Sequence, residues 1–238
     1  MNKANFFWSG PPLQQRHVAA FNSYIQNDWD VTVWTYNDSL DVPNNIKVRN
    51  ANEILDESRL GTFTYDTCNV NEVPLSDLFR LYVMQHTQGW WFDSDCFCLR
   101  NYTDFELLSY NRYLVSAWEF EGSINNAVLY FSSMELLNNL IQFMESEIEP
   151  VMIWGKLGPR GLTKFLTQCD LTYQALPSWS FYPLIWNEAK LGVDDSQFDR
   201  VKQLCKPALT YHYYNSICNH YSESEYKGYI GHLIEKYS

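Results

Sequence analysis

The chain has 238 residues, 46% of them hydrophobic, which is enough to bury a full core as one domain. Seventeen Lys and Arg against 28 Asp and Glu leave a formal charge of −11, which argues against a nucleic-acid binder and leaves any phosphate ligand dependent on a metal and local cations. Aromatics make up 17%, with nine Trp and seventeen Tyr, a content that suits a site lined by flat rings as well as a merely aromatic core.

Asn5 to Ser9 reads as a first strand, Gly10-Pro11-Pro12 as a turn, and Leu13 to Asn27 as a helix with Leu13, Ala20, Phe21, Tyr24 and Ile25 inward. The apolar start Phe6-Phe7-Trp8 is too short for a secretory or membrane segment, so a cytoplasmic location is the expectation. Asp30 to Tyr36 and Ile46 to Arg49 read as strands, followed by a helix from Ala51 to Glu57. Residues 58–73 have no clean period and read as a loop over the site.

The stretch from Pro74 to Cys98 carries the most chemistry. Pro74 suits a helix's first turn, and Leu75, Leu78, Phe79, Tyr82 and Val83 recur at helical spacing. Asp77 and Arg80, three apart on that helix, form either an ion pair or two groups offered to a polar ligand. The helix should stop at Gly89; Trp90, Trp91 and Phe92 then read as a buried strand running into Asp93, Ser94 and Asp95. Two carboxylates about 4 Å apart repel by roughly 4 kcal/mol at an effective dielectric near 20, so the pair calls for a cation, a proton or an arginine. Mg²⁺ or Mn²⁺ suits oxygen ligands best, and the plain alternative is an Asp-Ser-Asp turn with no ion. On repulsion alone, Asp95→Asn should leave the metal-free fold as stable as the parent or slightly more so. The six cysteines, at 68, 96, 98, 169, 205 and 218, match neither zinc nor redox spacing. Cys96 and Cys98 are expected on opposite strand faces, and all six as reduced structural thiols.

Further on, Tyr113 to Trp118 and Asn126 to Phe131 read as strands. A capping box at Ser132-Ser133-Met134-Glu135 opens a helix to about Ile148. Alternating strands and helices imply an α/β fold with an open, mainly parallel sheet, helices on both faces, and ligands outside the strands' carboxyl ends.

The pattern Ser76-Asp77-x-x-Arg80, helix, Gly89, aromatic strand, Asp93-Ser94-Asp95 resembles the DXD-motif sugar-nucleotide glycosyltransferases, the group of α-1,4-galactosyl and mannosyl, capsular polysaccharide and clostridial-toxin transferases. Gln88 and Trp91 depart from the pattern, at positions not expected to touch a ligand. The resemblance implies a single Rossmann-like GT-A domain over 1–238 with an open mixed sheet. Residues 1–100 would form a nucleotide-sugar half ending in the DXD, and 101–238 an acceptor half with a C-terminal element that returns to the metal and diphosphate.

It also implies roles for particular residues. Asp95 would ligate Mn²⁺ or Mg²⁺, Asp93 would hold ribose or ion-bound water, and Ser94 lies between them. Asp77 and Arg80 would bind sugar hydroxyls and steady the acids. The opening Phe6-Phe7-Trp8-Ser9-Gly10 is similar to a motif whose Trp stacks on the base, so Trp8 and Ser9 are donor-site candidates, with core packing as the alternative for Trp8. Asn125 and Asn126 resemble an element beside the acceptor, or else cap a turn. Trp154 to Thr163 resembles a glycine-rich loop in which Lys156 or Arg160 would contact the diphosphate. Pro177 to Trp186 would supply an aromatic wall. Tyr211 to Ser216 partly matches an element in which His212, Asn215 or Ser216 would reach the ion. The expected reaction moves a sugar from a UDP-linked donor to a glycan or other hydroxyl acceptor with retention. The alternatives are a sugar-nucleotide hydrolase or phosphoryl-transfer enzyme with the same ion site, a silent sugar- or nucleotide-binding module, and a DNA- or protein-modifying transferase.

Overall fold

The computed structural model describes residues 2–67 and 70–238. Cys68, one of the expected free thiols, lies outside the described residues; the other five are unpaired.

Strand β1 (Lys3–Phe7) begins two residues before the expected start, because Lys3 already pairs with Asp30 of β2 (Asp30–Thr35). Between them runs α1 (Gln15–Ile25), whose Phe21 and Tyr24 are fully buried. The third strand, β3 (Lys47–Asn50), joins β2 in parallel. In place of a helix over 51–57 the chain makes two 3₁₀ turns, Ala51–Glu53 and Glu57–Arg59. The Asn50 and Asp56 side chains accept the Asn52 and Ser58 backbone N–H groups at 2.9 and 2.8 Å, local bonds that compete with a continuous helix.

Within the stretch expected to be a loop lies β4 (Thr64–Tyr65), and α2 (Glu72–Thr87) starts inside its expected end, two residues before Pro74. It ends on Gln88 in the left-handed conformation, φ 53 and ψ 30, where the related pattern has a glycine. Gly89 is required for a different reason: a Cβ there would sit 2.7 Å from the Asn5 side chain. The chain can then enter β5 (Trp90–Phe92) between β1 and β8.

After β6 (Cys96–Cys98) and α3 (Tyr102–Ser109), a hairpin of β7 (Leu114–Phe120) and β8 (Ser123–Phe131) completes the main sheet. Its order is β3-β2-β1-β5-β8-β7. The first four strands are parallel, while β8 runs antiparallel to both neighbours. Asn125 and Asn126 thus lie inside a strand rather than capping a turn. The helix α4 (Met134–Ser146) is capped by Ser133, one residue later than expected, whose hydroxyl accepts the Leu136 N–H.

Two faces of the sheet bury two cores. Trp91 meets α2, α4 and α5 (Pro159–Gln168) on one side, while Trp90 and Phe92 meet α1 and α3 on the other. Short strands β4 and β9 (Val151–Met152) pair beside the first core. A third cluster holds α6 (Phe198–Cys205), β10 (Thr210–His212), α7 (Asn215–Cys218) and α8 (Tyr229–Tyr237). Cys96 and Cys98 share one face of β6, as a two-residue period requires. Both enter the second cluster while Phe97 enters the third, which corrects the expectation that they face apart. No helix of the described residues is long and apolar enough to cross a membrane.

Candidate active site

The acidic triplet sits where the chain leaves one sheet for another. Beyond Phe92, the Asp93 N–H bonds Ala127 of β8 at 2.8 Å, and the Cys96 N–H closes a turn on the Asp93 carbonyl at 3.0 Å. The next strand, β6, pairs with β10 instead of the main sheet and sets His212 opposite Cys96. Both carboxylates therefore stand beyond the carboxyl end of a central strand, where its neighbours change from parallel β1 to antiparallel β8. Crevices of this kind hold ligands in open α/β sheets.

Arg80 organises the first half of the cluster. It is 4% exposed and pairs with Asp77 at 2.9 Å and Asp93 at 3.1 Å. It also donates to the Asn126 carbonyl at 2.7 Å and lies over the Trp91 ring at 5.1 Å. Burial works against its charge, but Asp93 and Asp77 outweigh burial and raise its pKa. Asp77 accepts from the Tyr65 hydroxyl and the Asn126 amide, both at 2.7 Å. Tyr65 in turn accepts the Leu157 N–H at 3.2 Å, and burial followed by Asp77 keeps its phenol protonated. The loop beyond Leu157 closes tightly, since a Cβ on Gly158 would come within 2.6 Å of Asp77 Oδ2. Trp91, at a position not expected to touch a ligand, donates its indole N–H to Asp93 Oδ1 at 2.7 Å.

His212 organises the second half. Its Nε2 lies 3.0 Å from Asp95 Oδ1, and Asp95 Oδ2 accepts the Asn215 N–H at 2.7 Å. Tyr214, held at φ 51, makes the sharp turn that precedes this N–H. The two acids are driven apart electrically. Burial, reinforced by Asp95, raises the pKa of Asp93 against the pull of Arg80. Burial opposes Asp95 too, but the charge and hydrogen bond of His212 and the Asn215 N–H bring its pKa below the usual value. His212 is raised, because Asp95 overcomes the burial that would lower it.

Oxygen and imidazole donors are of the kind a hard divalent ion takes. Asp93 Oδ1 carries both the Arg80 and Trp91 bonds, while Oδ2 accepts no hydrogen bond among the described residues. The buried His212 Nδ1 has no partner either. Cys96 lies in reach of Asp95 and His212, their ligand atoms within 4.8 Å of one another. Burial and the two acids keep its thiol protonated, however, so it offers no thiolate and the set remains oxygen and imidazole.

No family model matches the chain, and no curated protein does either. Solved structures do. The PaToxG glycosyltransferase superposes with a TM-score of 0.50 at 10% identity, covering 99% of this chain and 86% of that one. The WbbM bifunctional glycosyltransferase gives 0.55 at 9% identity over 99% of this chain and 49% of its own length. Mouse xyloside xylosyltransferase 1 gives 0.44 at 12% identity, over 88% and 96% of the two chains. The fold is GT-A-like, the fold these glycosyltransferases share.

Within this glycosyltransferase fold the expected residues divide into those brought together and those left apart. Asp77, Arg80, Asp93 and Asn126 form one bonded group, and Asp95 and His212 form a second at the other end of the acidic triplet. Asn125 is turned to Glu119, donating at 2.9 Å. The Asn215 side chain is taken by Arg16 at 3.2 Å, and only its backbone reaches Asp95. Ser216 is exposed, and Ser94 is half-buried between the acids. Lys156 is tied to Glu149 at 2.9 Å and Arg160 is exposed, so neither is held at the cluster. Ser9 is half-buried, and the Trp8 indole bonds Pro11 within its own turn at 2.8 Å while its ring lies against His17. In the aromatic wall, Tyr182 is core, but Trp186 is 50% exposed and its N–H is held by Glu119 at 3.2 Å.

Two residues escaped the sequence reading. Tyr65 sits in a stretch without period, so nothing local marked it. Glu119 had a signal, being the one charged residue in the strand LVSAWEF, where an inward carboxylate needs partners.

Proposed function

We propose that the protein is a glycosyltransferase that moves a sugar from a UDP-linked nucleotide-diphosphate donor to a hydroxyl of a glycan acceptor, using Mn²⁺ or Mg²⁺. The observation that carries it is the cluster of Asp77, Arg80, Asp93, Asp95 and His212 at the carboxyl end of β5 within a glycosyltransferase fold. Asp95, Asp93 and His212 would hold the ion, which when bound supplies positive charge to the departing diphosphate. Arg80 holds Asp93 and Asp77 in place, and its buried charge lowers the cost of gathering acids there. Asp77 and Asn126 are the polar groups we assign to the donor sugar's hydroxyls, with Tyr65 fixing the Asp77 rotamer. Residues 1–100 would then supply most of the donor site. Trp186, seated by Glu119 and Asn125, would face the acceptor from the second half of the chain. Retention of configuration follows from the sequence resemblance, and no nucleophile is assigned.

A thermal-shift panel tests this reading. UDP or a UDP-sugar should raise the melting temperature only with Mn²⁺ or Mg²⁺ present, because a ligand bound by the native state alone stabilises it. Equal shifts in EDTA would sink the metal-dependent reading.

A further inference from the structure

Among the described residues several buried polar atoms beside the acids have no partner, the Tyr213 and Tyr214 hydroxyls and His17 Nε2 among them, and of these His17 is the one whose ring packs on Trp8. His17, in the first turn of α1, is 3% exposed. Its Nδ1 accepts the Gln14 backbone N–H at 3.1 Å, and an imidazole nitrogen that accepts carries no proton. Burial, then the Arg16 guanidinium, lowers the ring's pKa to about 4, so near neutral pH it is uncharged with its single proton on Nε2. This Nε2–H is buried and meets no acceptor among the described residues. A buried donor left unmade costs as much as a lost hydrogen bond, so it calls for an explanation.

Its position supplies one. The ring packs on the Trp8 indole, centroids 4.5 Å apart, and its neighbour Arg16 donates at 3.2 Å to the side chain of Asn215, whose backbone N–H reaches Asp95 at 2.7 Å. His17 therefore sits against Trp8, the base-stacking candidate of the sequence resemblance, in the turn of α1 that reaches toward the carboxylate assigned to the ion. A nucleotide held by both would pass its ribose and phosphates between them. Arg16, next in the chain, is already bound to Glu223 and Asn215. Resting on the nucleotide-sugar reading above, we infer that His17 Nε2–H is a hydrogen-bond donor to an oxygen of the donor's ribose–phosphate portion.

His17→Phe keeps a ring against Trp8 and removes the N–H, while His17→Gln returns an amide N–H near the same place. Titration calorimetry at pH 7 with Mn²⁺ compares uridine, UMP and UDP. His17→Phe should weaken UDP binding about tenfold, and His17→Gln should recover most of that loss. Loss for all three probes identifies the ribose, and loss for UMP and UDP alone identifies a phosphate. An unchanged UDP dissociation constant in folded His17→Phe overturns the inference. Failure of the parent itself to bind UDP with Mn²⁺ overturns the reading beneath it, and the two failures differ in which protein shows them. Nitrogen-15 spectra of the ligand-free parent give a check that needs no variant to fold: an Nδ1–H tautomer for His17 would equally end the proposal.

Discussion

Asp95→Asn is the most informative single change, because the structure reverses the expectation that repulsion alone sets. Asp95 receives His212 at 3.0 Å and the Asn215 N–H at 2.7 Å, so its carboxylate is held by partners as well as repelled by Asp93. An Asn oxygen can still accept from Asn215, but no charge remains for His212. Breaking a buried pair by removing one partner costs roughly 3–5 kcal/mol when the other must stay charged. His212 can shed its proton instead, which limits the loss to that of a charge-assisted bond, about 1.5–3 kcal/mol, less the repulsion relieved at Asp93.

The pH dependence has a definite sign. His212 is raised above 6.5, so its contribution is complete below that value and fades as pH climbs through the folded pKa. Asp95 is lowered below 3.8, so its contribution is complete above that value and fades as pH falls through the folded pKa. The deficit of the variant should thus be largest between those two values. Urea unfolding in EDTA at pH 5.5 and pH 9 measures it. Equal stability at pH 5.5, or a deficit that grows toward pH 9, would refute the pairing. A destabilised variant that still bound UDP with Mn²⁺ as the parent does would end the ion assignment.

Gln88→Gly should raise stability by about 0.5–1 kcal/mol, since a left-handed residue at φ 53 is strained for any side chain; an unmoved urea midpoint would contradict this. Tyr65→Phe leaves Asp77 and the Leu157 N–H each one partner short, at about 1–3 kcal/mol, and should weaken UDP-sugar binding as Asp77 loosens. Gly158→Ala places a Cβ 2.6 Å from Asp77 Oδ2, so it should cost about 1–3 kcal/mol in chemical denaturation and lower donor affinity in calorimetry.

Local pattern made the central part of this fold legible. The strand of Trp90 to Phe92 showed itself as an aromatic run, α4 as an apolar stripe behind a serine cap, and the parallel half of the sheet as alternating elements. Spacing set Asp77 and Arg80 side by side but left open an ion pair or two groups offered to a ligand, and the two do pair. Side-chain chemistry that overrides period was harder to read. Asn50 and Asp56 turn a predicted helix into two short turns, and Gln88 takes a conformation its residue type disfavours. Hardest were contacts between distant segments. Tyr65 meets Asp77 only because β4 pairs with β9, and His212 meets Asp95 only because β10 adds to β6 rather than to the main sheet. A partial motif could point to His212, but the pairing that turns Lys156 toward Glu149 left no trace in the glycine-rich loop that holds it.

The balance of charge in the cluster leads to a last expectation. Asp77, Asp93 and Asp95 face Arg80 and His212, and of the two cations only His212 can change its charge, since an arginine keeps its proton. Asp95 raises the imidazole's pKa, so below that value a proton occupies the nitrogen a metal would need. His212 must therefore lose its proton to become a ligand, and Mn²⁺ affinity should climb as the pH rises above 6.5, through the raised pKa, with up to about one proton released per ion. Calorimetry in two buffers of different ionisation enthalpy reads that proton directly. If Asp95→Asn abolished Mn²⁺ binding while the parent's affinity stayed flat across this range, the carboxylates would hold the ion without His212, whose place would then be that of a partner to Asp95 alone.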